Sequence, residues 1–151
     1  MLGPLNPRLL INETIGASRS ILPHMPYSDC SKTMNQSEHF KRLLALIADI
    51  ANKEYQQNSW FNKGPFVSSP DEMLCGYFDD CCAKDTINEE ANNFTLAQIN
   101  AIQALHSAME TFSNTTPPHL DPLETFLNPH WDHIRSLARA VGNEFDSSTT
   151  A

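Results

Sequence analysis

Helix-start signals recur along this chain, and each is followed by apolar residues spaced three and four apart. In Thr95-Leu96-Ala97-Gln98 a hydroxyl and an amide stand three residues apart, the arrangement that caps a first turn reciprocally. Ile99, Ile102, Leu105, Met109 and Phe112 then gather on one side at 100° per residue. Ser69-Pro70-Asp71-Glu72, Asp121-Pro122-Leu123-Glu124 and Asn128-Pro129 repeat the signal, with proline at the first helical position. After Asn128 the stripe is Trp131, Ile134, Ala138, Val141 and Phe145. A first helix is expected from about Ser37 to Gln57 on Phe40, Leu43, Leu44, Ile47, Ala51 and Tyr55. No run alternates with period two, and no Asn-Gly or Asp-Gly hairpin occurs. The predicted fold is all-α, an irregular bundle of four main helices plus one or two short ones.

The helix opening at Ser69 is predicted to reach about Lys84 and to bury Met73, Leu74, Tyr77, Phe78 and Cys81. Glu72, Asp79 and Asp80 fall opposite, with Gly76 as a gap between them. Asp85 to Asn93 reads as a polar connection, Ser113 to His119 as a loop, and Ser147 onward as a tail. Residues 1–33 hold Pro4, Pro7, Gly16, Pro23 and Pro26, which interrupt every apolar run, and are expected to form a loose leader. A single helical domain over 34–146 follows, with 147–151 as tail; the natural start is expected at Met34 or Met25.

A chain of 151 residues with 40% apolar content can bury a core as one domain. The net charge of −8 is unevenly distributed. Residues 69–90 carry seven acids and Lys84 alone, a balance of −6, whereas residues 1–68 balance at +2. An acidic surface excludes phosphate-backbone binding, which needs Lys and Arg to release counterions. It suits a basic protein partner, whose approach it would steer. No stretch approaches the roughly 18 apolar residues of a membrane span, so a cytoplasmic protein is expected.

Cys30, Cys75, Cys81 and Cys82 read as free thiols of a reducing compartment. Cys81 and Cys82 lie near a helix C-terminus beside Asp79 and Asp80, where negative potential raises a thiol pKa and blunts reactivity. No Cys-x-x-Cys spacing supports a metal. His130 and His133 are three apart, but the apolar stripe leaves His133 outside and no third ligand follows at i+4 or i+7. His106 and His39 read as hydrogen-bonded boundary histidines. Glu72 and Asp79, about 10 Å apart by helical rise, are too distant for a shared-proton dyad. No phosphate-binding glycine loop or nucleophile elbow occurs. No catalytic residue, metal or cofactor is therefore predicted.

Trp60 and Phe61 belong to an aromatic loop with Pro65, Phe66 and Val67 around Gly64. Such a loop closes a bundle end or anchors a partner, since aromatics dominate binding hot spots.

Ser59-Trp60-Phe61, Ser69-Pro70-Asp71-Glu72, Tyr77-Phe78-Asp79-Asp80 and Asn128-Pro129-His130-Trp131-Asp132-His133-Ile134 together resemble the small cytoplasmic immunity proteins of bacterial toxin–immunity pairs, including contact-dependent growth inhibition systems. The resemblance covers about a quarter of the chain and implies a role rather than a fold. It implies tight, non-enzymatic binding to a cognate toxin, often a basic nuclease, with acidic residues blocking its active site. Glu72, Asp79 and Asp80 would supply the charge, with Trp60 and Phe61 as anchors. The rival readings are a helical adaptor for another basic segment and an enzyme whose site is assembled from distant residues.

Overall fold

The computed structural model describes residues 36–150, with side chains from 38 to 146. The leader over 1–33 and the start at Met34 or Met25 lie outside the described residues. The helices are α1 (Gln36–Ala51), α2 (Lys53–Trp60), α3 (Pro70–Cys75), α4 (Ala83–Glu90), α5 (Leu96–Thr115), α6 (Pro122–Leu127) and α7 (Pro129–Thr150). A π-helical turn (Gly76–Asp80) continues α3, and a 3-10 turn (Ala91–Asn93) follows α4. Among the described residues there is no strand, so the chain is all-α. No described helix is long and apolar enough to cross a membrane.

Among the described residues seven α-helices stand where four main and one or two short ones are expected, because two predicted helices break. At Asn52 the backbone is extended, and the side chain caps α2 by accepting from Tyr55 N at 2.9 Å. At Cys82 the backbone enters the left-handed region (φ 46°, ψ 52°), which ends the π turn and starts α4. α4 lies where a polar connection with a short extra turn around Ile87 is expected. Ala83, Ile87 and Ala91 are buried at i, i+4 and i+8, and this narrow stripe seats it against α1. The last helix runs on to Thr150, past the tail expected from Ser147.

The long elements follow their periodicity. Thr95 and Gln98 form the complete capping box, with Gln98 N donating to Thr95 Oγ1 (3.1 Å) and Thr95 N to Gln98 Oε1 (2.9 Å). Ile99, Ile102, Leu105, Met109 and Phe112 are all buried. α7 packs along both α5 and α1 and buries Trp131, Ile134, Ala138 and Val141 between them. Burying such side chains stabilises by about 1.5–3 kcal/mol each. Phe40, Phe94 and Phe145 close one margin, with ring centroids 5.1–5.2 Å apart.

Polar residues lock the other end. Gln56 is fully buried; its Oε1 accepts from Trp131 Nε1 (3.1 Å) and Arg135 Nε (2.8 Å), and its Nε2 donates to the carbonyls of Ile50 (2.7 Å) and Asp49 (2.9 Å). Arg135 is 2% exposed and also donates to Asp132 Oδ1 (3.0 Å) and the Phe126 carbonyl (3.1 Å). Its guanidinium lies 4.8 Å from the centroid of the Phe126 ring. Most buried polar groups in folded proteins are satisfied in this way.

Candidate protein-binding interface

The α3–π segment presents the acidic residues. Ser69 Oγ accepts from Glu72 N at 3.1 Å and Pro70 takes the first helical position, as the capping signal predicts. Asp71 turns inward to the neighbouring loop and accepts from Leu120 N at 3.1 Å. His119 Nδ1 stands 3.9 Å from its other oxygen. Glu72, Asp79 and Asp80 are exposed. Among the described residues no Lys or Arg is ion-paired with any of the three.

The π turn redistributes the faces. Cys81 N donates to Gly76 O at 2.8 Å, an i→i+5 bond that inserts one extra residue into the turn. Met73, Tyr77 and Cys81 are buried as expected, but Leu74 and Phe78 are only half-buried. Both pack against the margin of the core and keep part of their surface open to a groove. Gly76 does not open a gap toward solvent. A Cβ there would lie 3.3 Å from Leu46 Cδ2, so the missing side chain admits α1.

Leu74, Cys75 and Phe78 form the floor of a groove of about 310 Å³. Asp71 and Asp79 stand at its two ends, and Ser113, Thr116, Pro117 and Pro118 line the opposite side. Cys75 is exposed; partial desolvation and the negative fields of Asp79, Asp71, Asp80 and Glu72 push its thiol above the ordinary range.

Cys81 is a buried free thiol, pushed up by desolvation and by Asp80 against a lowering by Arg42. The inert character expected of it stands. Cys82 departs from the free-thiol expectation, being disulfide-bonded.

Trp60 is 5% exposed and packs on Trp131 (centroids 5.9 Å) and Phe126 (6.3 Å). It closes the bundle end, and its ring is not on the surface as an anchor would be. Phe61 is half-buried, edge-on to Phe126 at 5.6 Å. The exposed apolar residues of this loop are Phe66 (67%) and Val67 (71%), further along the aromatic run than the pair singled out from sequence. Pro65 and the bond from Ser68 N to Ser59 O (3.0 Å) confine them to the loop crest.

Behind the acidic face, Tyr77 Oη lies 3.0 Å from His106 Nδ1, His106 Nε2 lies 3.3 Å from Glu110, and Lys84 Nζ lies 3.4 Å from the same carboxylate. Burial lowers the His106 pKa against the opposing pull of Glu110. Burial likewise pushes the Tyr77 phenol far up, so its proton stays in place. The neutral imidazole suits this arrangement, with Tyr77 donating to Nδ1, while Nε2 makes no hydrogen bond among the described residues despite its approach to Glu110. Among the described residues neither ring nitrogen of the buried His39 has a hydrogen-bond partner, unlike the hydrogen-bonded boundary residue expected. His130 and His133 are exposed on a separate groove between α5 and α7.

No protein-family model, curated protein or solved structure matches the chain.

Proposed function

We propose that this is a non-enzymatic binding protein that neutralises a basic toxin by covering its active site with the acidic α3–π face. The observation that carries the reading is the state of Glu72, Asp79 and Asp80. All three are exposed, and none has an ion-paired Lys or Arg among the described residues. A face of one sign with no internal counter-ions attracts an oppositely charged partner and speeds its approach. In this reading Phe61 contributes its exposed part as an anchor, while Trp60 holds the loop from beneath.

Pull-down from the native host, with mass spectrometry of the captured protein, tests the reading. A basic toxin domain whose activity is blocked by stoichiometric addition is the expected result. Capture of a basic protein with no toxic activity would favour the adaptor reading. The compartment in which the partner is met follows from the redox state of Cys82, since disulfides are rare in a reducing cytoplasm.

A further inference from the structure

The outer face of the α3–π segment has an order of its own. Asp71, Leu74, Cys75, Phe78 and Asp79 line one groove, with the apolar residues in the middle and a carboxylate at each end. Asp71 and Asp79 are eight residues apart, about 12 Å by helical rise. One cation therefore cannot satisfy both.

An extended peptide has a matching period. Its side chains at i, i+2 and i+4 point the same way, and i to i+4 spans about 13 Å. From this match of length, charge and polarity we infer that the groove receives an extended segment of the basic partner with the pattern Arg-x-apolar-x-Arg. The central apolar side chain would rest on Leu74 and Phe78, and each guanidinium would meet one end carboxylate. Arginine fits better than lysine because its planar fork pairs with a carboxylate and stacks on an aromatic ring such as Phe78. Asp71 already accepts from Leu120 N and has His119 nearby, so the exposed Asp79 is the stronger end. The inference rests on the acidic-face reading and adds the form of the ligand.

The probe is a dye-labelled peptide containing Arg-Ser-Leu-Ser-Arg, compared with the isomer Arg-Arg-Ser-Leu-Ser of equal charge. Fluorescence anisotropy gives affinity, and peptide-mapped iodoacetamide labelling reports access to Cys75 on the groove floor. The spaced peptide should bind at least about fivefold more tightly than its isomer, equivalent to one net hydrogen-bonded contact of roughly 1 kcal/mol. It should also slow labelling of Cys75. Asp79→Asn, an exposed change that leaves the Asp71–Leu120 bond intact, should erase the preference. A lysine version should bind less tightly than the arginine one.

Equal binding of both isomers with Cys75 unprotected would overturn the groove while leaving an attractive acidic face. Absence of binding by either isomer would overturn the groove as well. The wider reading would then stand or fall separately, on whether Asp79 and Asp80 matter to the captured partner.

Discussion

Gln56 and Arg135, 79 residues apart in sequence, meet in the core through a 2.8 Å bond from Arg135 Nε to Gln56 Oε1. The same oxygen accepts from Trp131, so one amide joins α2 to α7 and fixes the bundle end beneath the aromatic loop. Replacing Gln56 by Ala strands two buried donors, one of them charged. The expected loss is about 3 kcal/mol of unfolding free energy, measured by urea denaturation. A loss below about 0.5 kcal/mol, the scale of ordinary surface changes, would show that the network does not hold this end.

Trp60 tests the division between framework and interface. Trp60→Ala removes a buried ring from contact with Trp131 and Phe126 and should cost about 3–5 kcal/mol of stability. Trp60→Phe retains most of the packing and should leave partner affinity within about twofold, less than one weak contact. A large loss of affinity in a stably folded Trp60→Phe protein would return Trp60 to the role of anchor.

The His106 cluster gives a pH dependence with a definite sign. Burial lowers the imidazole pKa in the folded protein below its ordinary value of 6.5, so the unfolded chain binds the proton more readily. The stability contribution is complete above pH 6.5, falls as pH drops below it, and levels off beneath the folded value. Urea midpoints between pH 7.5 and 5 should show the decline in the parent protein and a shallower one in His106→Gln. Parallel profiles would remove His106 as the cause.

Cys82 provides a chemical check on the loop between the π turn and α4. Alkylation in denaturant without reductant should label Cys75 and Cys81 but spare Cys82, and prior reduction should expose it. Labelling of Cys82 without reductant would show the bond to be absent.

The parts legible in the sequence are those governed by local signals. The cap at Thr95 and the stripe from Ile99 to Phe112 needed no distant information, and α5 forms where they place it. The caps at Ser69, Asp121 and Asn128 are equally local, and each accepts from the backbone of the helix it opens. The breaks at Asn52 and Cys82 were not legible, because apolar spacing runs through both. Nothing nearby in the chain reveals that Gln56 is held by α7 or that Gly76 is filled by Leu46 of α1. α4 was readable in principle from Ala83, Ile87 and Ala91, but two alanines make a faint stripe among polar neighbours. Glu72, Asp79 and Asp80 are exposed, as their place outside the apolar stripe predicts. The half-burial of Leu74 and Phe78 was not legible, because the stripe groups them with Met73, Tyr77 and Cys81.

The association rate of the captured partner with Asp79→Lys/Asp80→Lys protein measures the central claim most directly. Both residues are exposed, so the substitutions should leave the fold intact. If the acidic face guides and binds a basic partner, the rate should fall at least about tenfold at low salt, and the gap should narrow near 0.5 M salt as screening shortens the field. An association rate equal to that of the parent protein at low salt would contradict the account.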